Sequence, residues 1–351
     1  MLKPFEHGYT TGKFAPMHRG HELLFSFAAS VCRHLTIHLT YDRSDKYPIS
    51  LRKTWIETYF RAYHPDVRLS FFEFPEIDYS SGKDDQGTIV DESYWNQYVK
   101  QVVHITAALH IPYFDCVIIS DHYGKRVAVE LNAEWIPVDP NRETFEISST
   151  KVRQDTLKHH HQLSSIVKPD IARKIAIIGP ESVGKSTLVR NVQRHFGDLV
   201  GTVPEWGRTL YEATSSDISE RNFWSILNVQ KQAVENKSRD HIVVVSDTES
   251  IVTSEFFRIW YPHSRQLGNF FTEANNLALS TYQSYIVLAP TVPLVQDGTR
   301  MGEEERQSMF REYCIRLRDL NIRHTIIDSP DFEERTDQAI SVINEEIDNY
   351  L

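Results

Sequence analysis

The sequence predicts an α/β protein made of two doubly wound parallel-sheet domains. Three observations predict it. Apolar, strand-like runs alternate with amphipathic, helix-like runs along the chain. A glycine-bearing loop joins a strand-like run to a helix-like run twice, at Gly12 to His21 and at Gly179 to Ser186. The length, 351 residues, suits two domains that each bury their own core. We place the boundary after Lys168, giving domains 1–168 and 169–351.

In the first half, a short strand leads into Gly12, and His18 to Cys32 has the pattern of a helix. His34 to Thr40 alternates as a strand does, Leu51 to Tyr63 reads as a helix ended by His64-Pro65, and Val67 to Phe74 is again strand-like. Asp91 can cap a long helix reaching Leu109. Phe114 to Ile119 and Ala133 to Val138 complete the strands. The run Lys158-His159-His160-His161 invites a metal reading. Adjacent histidines do not converge on one ion, so a solvated helix end or linker is expected instead.

The second half opens on the apolar strand Lys174 to Ile178, then the glycine loop and a helix from Lys185 to Phe196 stopped by Gly197. Gly201 to Pro204, His241 to Asp247, Tyr285 to Ala289 and Thr325 to Ile327 read as further strands. Asn222 to Ser238 and Phe332 to Tyr350 read as helices.

Composition narrows the function classes. Net charge is −10, which argues against a nucleic-acid-binding surface. Three cysteines, Cys32, Cys116 and Cys314, form no Cys-x-x-Cys pair, so buried reduced thiols are expected. With no signal peptide and no apolar run of membrane-spanning length, a cytoplasmic protein is expected.

The second loop, Gly179-Pro180-Glu181-Ser182-Val183-Gly184-Lys185-Ser186, is a Walker A phosphate cradle continuing into Thr187. Its backbone N–H groups and helix N-terminus face phosphates, Lys185 reaches the β- and γ-phosphates, and Ser186 ligates Mg²⁺. Asp247 ends an apolar strand, where a second Mg²⁺-facing carboxylate belongs; capping the next helix is the alternative. In Pro204-Glu205-Trp206-Gly207-Arg208, Glu205 can take an acceptor hydroxyl's proton and Arg208 can hold phosphate; a surface ion pair is the alternative. Arg300, in Asp297-Gly298-Thr299-Arg300, and Arg306 sit where a lid closes on the transferring group. Glu303-Glu304-Glu305 reads as a solvated helix start.

In the first loop, His18 and His21 lie three apart at a helix start and share a face. Two imidazole donors there can hold a phosphate; a metal site is the competing reading, without an evident third ligand. Gly12 allows close backbone approach, Lys13 adds a cation, and Phe14 belongs to the same nucleotide-facing loop. Downstream, Ile147-Ser148-Ser149-Thr150-Lys151-Val152-Arg153 opens a helix. Ser149 or Thr150 can cap it and bond an ATP phosphate, and Arg153 can clamp the leaving phosphates.

Together, Gly12-x-Phe14-x-Pro16-x-His18-x-Gly20-His21 and Ile147-Ser-Ser-Thr-x-x-Arg153 resemble the nucleotidyltransferase superfamily, most of all nicotinamide-mononucleotide adenylyltransferases. The second half, with its Walker A, Pro-Glu-Trp-Gly-Arg and Asp-Gly-Thr-Arg strings, resembles ribosylnicotinamide kinase. The pair resembles the bifunctional NadR family across nearly the whole chain. The resemblance implies a kinase that makes nicotinamide mononucleotide from nicotinamide riboside and ATP. It also implies an adenylyltransferase that joins the mononucleotide to ATP, giving NAD and pyrophosphate. It assigns His21 to the α-phosphate, and His18, Lys13 and Arg153 to the triphosphate. It makes Trp55 and Trp95 candidates to stack on nicotinamide, with core packing as the alternative, Arg52 a candidate for the mononucleotide phosphate and Asp121 one for a ribose. Some members carry an N-terminal helix-turn-helix; eleven residues precede Gly12, so neither that module nor DNA binding is expected. ATP or GTP at the kinase stays open, and a homo-oligomer is possible. Two other readings stand beside it: a fused pantetheine-phosphate adenylyltransferase and dephospho-coenzyme A kinase, and a non-catalytic nucleotide sensor.

Overall fold

A computed structural model describes residues 2–77, 91–214, 218–293 and 302–348, to which all structural statements below refer. The chain divides into two compact units, Met1–Val167 and Lys168–Leu351.

The first unit runs β1 (Phe5–Gly12), α1 (Arg19–Val31), β2 (Cys32–Tyr41), α2 (Ile49–Tyr63), β3 (Arg68–Pro75), α3 (Glu92–Leu109), β4 (Cys116–Ile119), α4 (Gly124–Leu131), β5 (Glu134–Pro137), α5 (Ser149–Gln154) and α6 (Thr156–His159). Its strands form one parallel sheet in the order β3-β2-β1-β4-β5. The chain leaves β1 toward β2 on one side and later returns to β4 on the other. The carboxyl ends of β1 and β4 therefore flank a switch point, where open α/β sheets bind ligands. Tyr9, Leu35, Ile37 and Val117 are wholly buried on these central strands. At Gly8 a side chain would collide with the thiol of Cys32. Cys32 and Cys116 are free, buried thiols whose sulfurs stand 3.6 Å apart, and Cys314 is free and half-buried.

The second unit runs α7 (Lys168–Ile171), β6 (Arg173–Ile178), α8 (Lys185–Phe196), β7 (Val200–Val203), α9 (Trp206–Ala213), α10 (Glu220–Lys237), β8 (Val243–Asp247), α11 (Ser250–Trp260), α12 (Leu267–Thr281), β9 (Ser284–Leu288), α13 (Glu303–Asp319), β10 (His324–Ile327) and α14 (Phe332–Asp348). Its parallel sheet has the order β10-β9-β6-β8-β7. Central β6 feeds the phosphate loop, and its Ile177 lies opposite Asp247 at the end of β8. The predicted strands are near-continuous apolar runs because helices cover both faces of such sheets. The sequence reading assigns no element to α9, α11 or α12.

Two local expectations need correction. Ser148, not Ser149 or Thr150, caps α5, its hydroxyl accepting from the Lys151 N–H at 3.2 Å. In the histidine run, Lys158 and His161 are exposed but His160 is buried, so that segment is not simply a solvated linker. Among the described residues no group of three His, Cys, Asp or Glu is placed to hold a metal ion. No helix among them is long and apolar enough to cross a membrane.

Candidate functional sites

In the first unit, two motifs far apart in sequence meet at the end of β1. Arg153 on α5 donates to the carbonyl of Ala15 at 2.6 Å, and Ser149 donates to the carbonyl of Pro16 at 3.3 Å. Arg153 also reaches the Thr150 hydroxyl at 3.3 Å and is otherwise exposed, so its cation borders solvent beside the loop. His18 and His21 stack with ring centroids 3.7 Å apart, and Phe14 meets the His21 ring edge-on at 4.9 Å. The His18 backbone N–H donates to His21 Nδ1 at 3.3 Å. That bond assigns the tautomer: the His21 proton sits on Nε2, which becomes a donor.

Burial, then the charge of Arg142, lowers the His18 pKa to about 3. Burial, then His18 and Arg142, holds His21 well below the usual imidazole range. Both rings are therefore neutral at pH 7, and His18 is 3% exposed with both ring nitrogens unpartnered. A buried nitrogen pair without partners is costly unless a ligand supplies them. Burial works to lower the Lys13 pKa, but hydrogen bonds and charges from Glu76 and Asp45 carry it above its ordinary value. Its ammonium lies 2.6 Å from Glu76 and 2.9 Å from Asp45.

In the second unit, Gly179 (φ 154°), Ser182 (φ 60°) and Gly184 (φ 89°) adopt left-handed backbone, which turns successive N–H groups inward. Lys185 donates to the carbonyls of Gly179 and Pro180 at 3.0 and 2.9 Å. A cavity of about 770 Å³ is lined by residues 181–187 of this loop and also by Trp206, Tyr211, Phe223, Phe256 and Trp260 and by Glu205, Glu212 and Glu249. Glu205 is the N-cap residue of α9. Burial raises its pKa; Asp247 and Glu181 push the same way, against Lys185 and Arg208. Arg208 is exposed at the cavity wall, and Asp247 is buried.

Several expected contributors lie elsewhere. Arg52 is 1% exposed, and its guanidinium is consumed by the carbonyls of Tyr47, Lys13 and Thr40 and by Asp45. It braces the loop after β1, with four of its five N–H donors engaged there. Trp55 and Trp95 are 1% and 2% exposed. Trp55 packs on Tyr47, and Trp95 packs in the core with the Arg126 guanidinium 5.3 Å over its ring. Neither offers a face for stacking. Arg306 is wholly buried on α13 and donates to the carbonyls of Glu181 and Val292 and to Glu303. It is a brace beneath the phosphate loop, not a lid residue. Asp121, exposed after β4, accepts from Arg142 at 2.9 Å. Arg300 lies outside the described residues.

The structure adds residues that the motifs do not name. Arg142 joins Asp121 to the carbonyl of Ile147 at 2.8 Å, tying the β4 loop to the start of α5. Arg335 on α14 donates to the carbonyls of Val183, Ala289 and Ser329 and to the Thr291 hydroxyl. Gln230 accepts from the Trp206 N–H at 3.2 Å and donates to the Ser246 hydroxyl at 2.7 Å and to the Thr248 carbonyl at 3.4 Å. It couples the start of α9 to the end of β8. Thr248 holds φ 70°, a conformation a β-branched residue avoids. Glu249 is buried, accepts from Ile251 N–H, the Ser250 hydroxyl and the Tyr285 hydroxyl, and has its pKa raised by burial. Only Gln230 left a signal: it is a polar residue on the buried face Phe223-Ile226-Leu227-Val234 of α10.

Comparison with known proteins agrees with this anatomy. The AAA domain family matches residues 174–335, the part that holds the phosphate loop. The chain is 22% identical to the trifunctional NAD biosynthesis/regulator protein NadR of Salmonella typhimurium, over 96% of this chain and 82% of that one. It is 23% identical to the NadR of Escherichia coli over the same shares. Among solved structures, NadR in complex with NR matches with TM-score 0.67 and 18% identity, over 98% of this chain and 96% of that one. NadR in complex with NAD and AMP-PNP matches with TM-score 0.68 and 18% identity, over 97% and 96%. The resemblance to NadR drawn from the motifs is borne out along nearly the whole chain, in sequence and in fold.

Proposed function

We propose that this NadR-like chain makes NAD in two steps. Residues 169–351 act as a kinase on nicotinamide riboside, and residues 1–168 act as an adenylyltransferase on the resulting mononucleotide. The observation that carries the kinase step is one cavity lined both by the phosphate loop and by aromatic and carboxylate side chains. The pyridinium ring of nicotinamide riboside is a flat cation. Aromatic faces and nearby carboxylates favour such a ring over a neutral or anionic one. This also speaks against dephospho-coenzyme A, whose phosphates would meet Glu205, Glu212 and Glu249.

In the kinase, Lys185 exchanges its loop carbonyls for donor phosphates, and the helix N-terminus behind it favours their charge. Glu205, its pKa raised by burial, accepts the 5′-hydroxyl proton. Arg208 steadies phosphate at the cavity wall. Ser186 at the first turn of α8 and Asp247 at the adjacent end of β8 form an oxygen donor set suited to Mg²⁺, which neutralises phosphate charge when bound.

In the adenylyltransferase, the mononucleotide phosphate is already a nucleophile at pH 7, so positioning and charge stabilisation do the work. His21 Nε2–H serves the α-phosphate. His18, Lys13 and Arg153 serve the triphosphate beside Gly12, Phe14, Ser149 and Thr150. Asp121 serves a ribose hydroxyl.

The test is a product assay with nicotinamide riboside, ATP and Mg²⁺. NAD with ADP and pyrophosphate is expected. The reduced, uncharged dihydro-riboside should have a KM at least tenfold higher. Absence of both mononucleotide and NAD would sink the proposal.

A further inference from the structure

We infer that Phe332 is the platform on which the kinase's donor base stacks, so that the second unit holds a purine-nucleotide subsite beside its phosphate loop. The inference rests on the kinase reading of that loop. Phe332 is the first residue of α14 and is 49% exposed, although it lines the same cavity as Ser186, Thr187 and Arg190. Its ring lies over Gly184, where an added side chain would meet Phe332 Cε1 at 2.6 Å. The Cε1 edge of the ring is thus set against the phosphate loop, and about half of the residue stays exposed at the cavity.

The ring is also fixed in place. Asp331 accepts from the N–H groups of Glu333 and Glu334 at 2.8 and 2.9 Å, pinning the start of α14. One turn on, Arg335 binds the carbonyls of Ser329 and Val183, so the segment carrying Phe332 is clasped to the residue just before Gly184. Asn191 on α8 donates to Thr336 at 3.1 Å and holds the two helices together. A large exposed aromatic ring, rigidly held beside a phosphate cradle, stacks a base at low entropic cost. Arg190 lines the same cavity, and its guanidinium is held by the Ser186 carbonyl and the Thr187 hydroxyl. A phenyl face stacks any purine, so the platform supplies affinity without choosing adenine over guanine.

Calorimetry of the full chain separates base from phosphate. ATP and inorganic tripolyphosphate are titrated into wild type, Lys185→Ala, Phe332→Ala and Phe332→Trp. The component lost in Lys185→Ala defines the phosphate-loop site. Phe332→Ala is expected to weaken that component for ATP roughly 5- to 150-fold, the worth of one base stack. Tripolyphosphate should bind that variant as it binds wild type, and Phe332→Trp should restore ATP affinity. Unchanged ATP binding in Phe332→Ala, or equal loss of ATP and tripolyphosphate, overturns the platform. A wild type with no Lys185-dependent binding overturns the phosphate-loop reading, and the platform with it.

Discussion

The Arg153 guanidinium lies 2.6 Å from the carbonyl oxygen of Ala15, a residue 138 positions earlier in the chain. The bond brings the cation that would hold leaving phosphates onto the loop that would hold the α-phosphate. Replacing Arg153 with Ala removes both the bond and the charge. Adenylyl transfer should fall by about 100-fold or more, on the scale of one lost transition-state donor. ADP formation from nicotinamide riboside should be unaffected. Coupled assays for pyrophosphate and ADP, run on one preparation, read the two activities apart.

Lys185→Ala should abolish phosphoryl transfer and leave adenylyl transfer from supplied mononucleotide intact. Loss of both activities in a protein with wild-type circular dichroism would contradict separate sites.

Gln230→Leu leaves the Trp206 N–H without its partner, while the Ser246 hydroxyl keeps its bond to the Thr248 carbonyl. A buried unsatisfied group costs about 1–3 kcal/mol, so a Tm loss is expected. Misplacement of α9 relative to β8 should also lower kinase kcat more than it raises KM for ATP. A variant that loses Tm alone would reduce Gln230 to a packing role.

Trp95→Ala should cost about 3–5 kcal/mol of stability, as for other buried aromatics. Its KM for the mononucleotide, measured at low temperature where the variant is folded, should stay within a factor of about three. A large and selective KM increase would return Trp95 to the substrate.

Acid should destabilise the first unit before its carboxylates titrate. Burial lowers the pKa of His18 to about 3, and burial also lowers His34 and His38 to about 4. Their unfolded values lie near 6.5, so between pH 6.5 and 4 the unfolded chain binds more protons than the folded one. The stability is fully present above pH 6.5 and is lost as pH falls through that window. Each histidine contributes a slope of up to about 1.4 kcal/mol per pH unit. Urea titrations at pH 7 and pH 5 should show a lower midpoint at pH 5. His38→Phe, which removes one of these groups, should flatten the dependence.

Much of the fold was legible because parallel strands covered on both faces are written as apolar runs. Lys185 to Phe196 matched to the residue, since a loop glycine starts the helix and Gly197 stops it. The phosphate cradle and the two histidines were legible for a similar reason: their chemistry is local in sequence. The braces were not. Arg52, Arg306 and Arg335 have the residue type of ligand-binding arginines, and only the partners decide. Most of those partners are backbone carbonyls, which carry no mark in the sequence. Ser148 and Ser149 are equally good caps by type, and the turn geometry chose the first. Gln230 came nearest to visibility, as one polar residue on an apolar helical face.

The grip of Arg335 on Val183 spans 152 residues. The phosphate loop is thus synthesised long before the side chain that fastens it. While a ribosome is still elongating the chain, residues 179–186 emerge with their supporting carbonyls unclasped. In the folded unit that clasp is closed by Arg335, which binds the carbonyls of Ser329 and Val183. Part of the support of this loop is therefore supplied by a residue made long after the loop itself.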